Sequence, residues 1–241
     1  MTERASSGSK AGRGKLRRPA SSKAGAGRSR SNCPPAAKGR TRTPSKDMSE
    51  AILAAALDLL ETHGPDALSV RQIAAAAGVA PMGVYNHFSS KSGVVEALFV
   101  QGFERLGEAM RTLVTIDDPE EALLEAGRVY RQLALRHPLV YRVMFLQAVP
   151  GFEPSDAAKE VACGAFEGLV AAVQRAMKAG VVAKDDPELV AQVLWSAIHG
   201  WVSLELFGIG IVEDTDGGAE HLLHALLDGI RPRHGRVAAG R

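Results

Sequence analysis

The chain has 241 residues, 46% hydrophobic and 23% charged, an ordinary composition for a soluble globular protein with one sizeable core or two smaller ones. Its net charge of +2 conceals a division. Residues 1–46 carry 13 Lys or Arg against one acid, Glu3, for +12, whereas residues 47–241 carry 16 bases against 26 acids, for −10. Two cysteines, Cys33 and Cys163, make no disulfide framework and read as free thiols. The N-terminus lacks the apolar core of a signal peptide, and no apolar run reads as a membrane span, so a cytoplasmic protein without a membrane partner is expected.

Residues 1–46 are mainly Ser, Gly, Ala, Pro, Arg and Lys, with Leu16 the only large aliphatic residue. Such a segment cannot repay the entropy of ordering, which predicts a disordered basic tail able to meet nucleic-acid phosphates without sequence preference. The run GRGKL at 12–16 lacks the earlier glycine, the hydroxyl residue after Lys15 and the preceding strand that a phosphate loop needs. From Asp47 the pattern is helical. Met48, Ile52, Ala55, Ala56, Leu59 and Leu60 form one stripe, stopped by His63-Gly64-Pro65. Ser69 caps a second helix over 70–77, which Gly78 ends, and Pro81 opens a third. Ser89 or Ser90 caps a fourth, bearing Val94, Val95, Leu98, Phe99, Phe103 and Leu106 on one side. Further helices are expected near 119–136, 139–148, 155–180, 187–207 and 217–230, broken by Pro, Gly and Asp clusters. Alternating strand patterns are absent, and the predicted fold class is all-α.

The stretch GVAPMGVYNHFSSK at 78–91 is too short to bury much apolar area, yet it crowds Tyr85, Asn86 and His87 together. Two short helices joined by a tight glycine turn fit a helix-turn-helix whose second helix enters the major groove of DNA. Pro81, Met82 and Asn86 are candidate base contacts, since asparagine pairs bidentately with adenine and apolar tips meet the thymine methyl. Tyr85, His87 and Lys91 suit phosphates, and Ser69, Arg71 and Gly83 complete the candidate DNA-binding set. Val79, Val84 and Phe88 read as core residues that lock the motif. Tyr85 and His87 are adjacent on a short helix, so at least one must face outward.

At these residues, SVRQIAAAAGVAPMGVYNHFSSKSGVVEALF from 69 to 99, the sequence resembles the TetR family of transcriptional regulators. Ile73-Ala74, Ala77-Gly78-Val79, Val84-Tyr85, His87-Phe88 and Lys91 carry the likeness. Ser92-Gly93 departs from it and is expected to loosen the start of the fourth helix. WSAIHGWVSLELFG at 195–208 and HPLVYRVMF at 137–145 resemble the family's Trp-His-Gly C-terminal class, through Trp195, His199 and Gly200. The resemblance implies a three-helix reader at 47–106 and a helical ligand-binding and dimerisation domain at 107–231, followed by a flexible 232–241. It also implies a homodimer on a palindromic double-stranded operator, released by a small, largely apolar effector, with no cofactor or metal.

The helix at 187–207 is apolar nearly all round, which favours a core on one side and a dimer partner on the other. Candidate effector contacts are Arg142, Met144, Phe145, Phe166, Trp195 and His199. Against this, aromatic and Met residues at helical spacing also serve as plain core, and His199 reads more readily as a hydrogen-bonded core histidine. His221 and His224, with Glu220, lack a further ligand at metal-binding spacing. No nucleophile elbow or zinc signature supports an enzyme. A nucleoid protein relying on the tail would bind all sequences equally and leave the crowded third helix unexplained. Deleting residues 1–46 is expected to lower non-specific DNA affinity and flatten its salt dependence, because each phosphate neutralised adds about −0.9 to the log–log slope. Titrations at several salt concentrations check this, and an unchanged slope would make the tail inert towards DNA.

Overall fold

The protein, studied as a computed structural model, is described over residues 46–232. The expected tail and flexible C-terminus lie outside the described residues, apart from their innermost positions. Nine α-helices and no strand occur among the described residues: α1 Lys46–His63, α2 Val70–Ala76, α3 Pro81–Phe88, α4 Lys91–Thr112, α5 Pro119–Arg136, α6 Pro138–Phe145, α7 Asp156–Lys178, α8 Pro187–Phe207 and α9 Thr215–Ile230. The all-α expectation holds.

Local chemistry sets most helix starts. Side-chain oxygens of Ser69, Ser90, Asp118 and Asp186 accept backbone N–H bonds from Gln72, Gly93, Glu120 and Glu188 at 3.2, 3.0, 2.9 and 2.9 Å. Pro119 and Pro187 follow the two aspartates, where a missing N–H costs nothing. Of the boundaries that differ from the sequence reading, two have a clear local cause. α6 stops at Phe145 rather than near 148, because Gln147 takes a left-handed φ of 47° and turns the chain. α9 begins at Thr215 rather than 217, because Asp214 caps it by accepting from Gly217 N at 2.9 Å.

α1, α2 and α3 close a small core around Ile52, Ala56, Leu60, Ile73 and Val84, to which α4 contributes Val94, Val95 and Leu98. The same α4 then enters the larger body through Phe103, Leu106 and Met110. Gly93 does not loosen this helix. A Cβ there would collide with the Phe88 carbonyl, so glycine permits the tight turn by which α3 runs into α4. Ser89 holds that turn at φ 61°.

Further along α4, Glu96 accepts from the Ser155 N–H at 3.2 Å and the Ser155 hydroxyl at 2.9 Å, pinning the start of α7. Phe99 meets Phe152 with ring centroids 6.0 Å apart. At Gly102, α4 presses against Met144 and Val140 of α6, leaving no room for a Cβ. Cys163 lies on α7, and Cys33 lies outside the described residues.

Candidate functional site

In α3 the side chains divide by face. Val84 is fully buried, whereas Pro81, Met82, Tyr85 and Asn86 are exposed, Met82 at 65% and Tyr85 at 49%. Arg71 on α2 is exposed as well. His87 is half-buried and its Nδ1 is buried without a partner, so of the adjacent pair Tyr85 is the outward one. Gly83 lies towards α1, where a Cβ would sit 3.6 Å from the Met48 sulfur. Ser69 uses its hydroxyl inside the motif, accepting from Gln72 N and donating to Gln72 Oε1 at 2.7 Å. Lys91, half-exposed, opens α4. A short helix thus presents a polar and apolar mixture outward while its apolar residues fasten it to α1 and α2.

The second assembly lies among α4, α5, α6, α7 and α8. Phe145, Phe166 and Trp195 come together, with centroids 5.8 Å apart for Phe145–Trp195 and 5.9 Å for Phe166–Trp195. His199, one turn beyond Trp195, meets Phe145 edge-on at 5.1 Å. Its Nδ1 lies 2.8 Å from the Tyr130 hydroxyl and 2.9 Å from that of Tyr141, which also reaches Ser203 Oγ at 3.1 Å. One ring nitrogen serves one hydrogen bond well, so one hydroxyl pairs with Nδ1 and Tyr141 has Ser203 as its second partner. Burial holds His199 below its ordinary pKa and pushes both phenols above theirs, which keeps the cluster uncharged. Three small apolar cavities adjoin, of about 30, 40 and 50 Å³, and Tyr130 lines all three. Voids of this size hold a few waters, so a larger guest must displace side chains.

Met144, Phe145, Phe166 and Trp195 line these cavities. Arg142 does not. It is exposed, its guanidinium 5.5 Å from the centre of the Phe207 ring, because Tyr141 and Phe145 take the inward face of α6 and residue 142 is turned away. The sequence reading missed Tyr130 altogether. Its signal was a tyrosine at a buried position in the apolar stripe of α5, where a hydroxyl must find a partner.

Outside the cavities, Arg131 of α5 grips Glu205 of α8 in a fork, at 2.8 and 2.6 Å, and reaches Asp216 of α9 at 2.7 Å. Arg128 holds Glu220 of α9 at 2.7 Å. Beyond these anchors α8 is sparsely covered. It is long and apolar enough to cross a membrane by length and composition, contrary to the sequence reading, and 22% of its most apolar window is buried. Leu189, Val193, Leu204 and Phe207 are 54, 46, 48 and 50% exposed.

An outward-facing recognition helix locked into a helix-turn-helix and carried on a helical body defines a DNA-binding transcriptional regulator. Residues 52–98 match the family model for bacterial regulatory proteins of the tetR family, and residues 123–226 match the tetracyclin repressor-like C-terminal domain. The chain belongs to the TetR family, whose members are regulators of transcription rather than enzymes. It is similar to an uncharacterized HTH-type transcriptional regulator of Mycobacterium tuberculosis, 27% identical over 216 residues that span 85% of this chain and 96% of that protein. An HTH-type transcriptional repressor of the same organism is 34% identical over 93 residues, 39% of this chain and 50% of the repressor. Among solved structures, a protein of Rhodococcus sp. RHA1 superposes with a TM-score of 0.69 at 24% identity, over 80% of this chain and 100% of that one.

The Arg131–Glu205 pair makes stability depend on acid. Hydrogen bonding to Arg131 holds the Glu205 carboxyl below the usual glutamate range. A carboxyl lowered on folding contributes stability above its unfolded pKa, about 4.3, and loses it as pH falls through the folded value. Glu205→Gln is expected to lower stability near pH 7 and to flatten the loss below about pH 4. Urea unfolding of both proteins at the two pH values checks this. Equal acid sensitivity of variant and parent would show that the pair contributes nothing to it.

Proposed function

We propose that the protein is a cytoplasmic repressor that binds a pseudo-palindromic operator as a homodimer and is released by a small, largely apolar effector. The observation that carries the reading is the outward face of α3, where Met82, Tyr85 and Asn86 stand free of the core that holds Val84. Residues 47–106 act as the reader and 107–231 as the effector and dimerisation domain. The bare apolar face of α8 supports a second copy as its cover, and the aromatic cavities support an effector within the body. The word repressor in the name of a relative that matches over half its length agrees with this direction of control.

Two reading heads must lie about 34–36 Å apart to reach successive major grooves. α4 joins each head to its body and touches α6 at Gly102 and the start of α7 at Glu96. A guest that displaces Phe145 or Met144 therefore pushes on the helix that sets the separation of the heads. A preference of about 1–3 kcal/mol for the mis-spaced state changes operator occupancy several-fold or more.

The contact assignment is tested by substitution, after genome-wide mapping of bound sites has supplied an operator. Tyr85→Ala is expected to weaken binding to all sequences and Asn86→Ala to relax preference at particular bases, each by about 1–3 kcal/mol. Anisotropy titrations on matched and mismatched duplexes measure both, and unchanged affinity in both variants would sink the assignment. The dimer is tested separately with Leu204→Glu, which places a charge on the bare face of α8. Sedimentation is expected to show a folded monomer, and a dimer unaffected by the substitution would place the interface elsewhere.

A further inference from the structure

We propose that the effector is a neutral aromatic molecule bearing a hydroxyl or N–H group, received at Tyr130. The proposal rests on the effector reading above and specifies its chemistry. Three features of the cavity region converge on it.

The first is the absence of charge. Among the described residues, no charged side chain is buried. Arg105 and His137, which touch one of the cavities, are exposed. Arg128 and Arg131 on α5 are already tied to Glu220 and Glu205. Two of the three cavities are lined by no charged side chain, and a carboxylate or phosphate drawn into either would be a buried ion without a counter-charge, which is far costlier than a buried neutral group.

The second is the shape of the walls. Phe103, Phe145, Phe166 and Trp195 surround the cavities as tilted and edge-on rings. The voids are short and divided from one another by Tyr130, Phe145 and Met110, which line more than one of them. A rotation of Phe145 and a rearrangement of the flexible Met110 side chain join two voids into one slot between ring faces. A flat ring fills such a slot with offset and edge-to-face contacts.

The third is the placement of polar capacity. Tyr130 lines all three voids, and its hydroxyl is paired with His199 Nδ1 at 2.8 Å. A phenol that donates to the histidine keeps oxygen lone pairs with which to accept from a guest. The neutral state of Tyr130, Tyr141 and His199, enforced by burial, agrees with an uncharged partner. A site built to hold a donor discriminates against an analogue lacking it more strongly than against one lacking a methylene.

The test uses the full-length protein without DNA and three probes: 2-naphthol, naphthalene and 2-naphthoate. Trp195 lines two of the voids, so quenching of tryptophan emission, checked by calorimetry, reports binding. 2-Naphthol is expected to bind about tenfold or more tightly than 2-naphthoate at neutral pH, and several-fold more tightly than naphthalene. Tyr130→Phe is expected to reduce 2-naphthol to the affinity of naphthalene while leaving naphthalene itself unaffected, which also shows that the variant is folded. Ala162→Trp, which fills one void from α7, is expected to abolish binding of both neutral probes and keeps the proposal testable should Tyr130→Phe not fold. Binding of 2-naphthoate as tight as 2-naphthol, an unchanged 2-naphthol preference in Tyr130→Phe, undiminished binding in Ala162→Trp, or binding of no probe would each overturn the proposal. Because DNA is absent, the result is separate from induction: 2-naphthol that binds as described but leaves operator affinity unchanged refutes release by ligand and not the chemistry of the cavity.

Discussion

The close approach of α4 to the body is the constraint on which the rest of the molecule depends. One helix belongs to two cores: Val94, Val95 and Leu98 pack with the helix-turn-helix, and Phe103, Leu106 and Met110 pack with the body. Side chains of ordinary size at every contact would hold α4 away from α6 and α7. Instead Gly102 lets Met144 and Val140 press on the helix, and Gly168 of α7 admits Met110. Contacts this close transmit displacement rather than absorb it, because atoms already touching must move together. The contact at Glu96 extends the same coupling, since the residue lies two turns from the recognition helix and holds the first residues of α7.

The sequence was most informative where local chemistry decides structure. Ser69, Ser90, Asp118 and Asp186 cap helices through their own neighbours, and a cap followed by an apolar stripe needs no knowledge of the rest of the chain. The outward face of α3 was legible for the same reason: with Val84 buried, Tyr85 and Asn86 are rotated towards solvent by helical geometry alone. What escaped depends on long-range packing. Arg142 looked like a polar anchor because it shares a short helix with Met144 and Phe145, but it follows the buried Tyr141, and a step of one residue turns it about 100° away. Tyr130 lies 69 positions from His199, and its hydrogen bond exists only once α5 and α8 are packed. Gly93 looked like a weakness in α4 because the carbonyl of Phe88 that demands it belongs to the preceding helix.

The polar groups of the body fall into two kinds that serve different ends. The Arg131–Glu205–Asp216 and Arg128–Glu220 pairs lie at the rim, where forked geometry fixes α5, α8 and α9 against one another while water still reaches part of each pair. Tyr130, Tyr141, His199 and Ser203 lie deeper and use neutral hydrogen bonds, which satisfy buried polar atoms without the desolvation cost of an ion. An apolar core would be the simpler solution for stability. The network fixes the orientation of His199 and hence of the α8 turn that also carries Trp195.

That turn connects cavity and surface. Trp195, Ile198, His199 and Val202 look into the body, whereas Leu189, Val193, Leu204 and Phe207 on the same helix look out. A straight helix cannot move one face and leave the other behind. Any guest that shifts Trp195 therefore shifts the apolar face that the proposed dimer covers, and any partner that clamps that face stiffens the wall of the cavity. The two sites are linked by rigid-body geometry, and linkage is reciprocal: a guest that prefers one arrangement of α8 must also favour one arrangement of the dimer. The Arg131–Glu205 fork limits how far α8 can travel, because its axis is tied to α5, which bears Tyr130 one residue before Arg131.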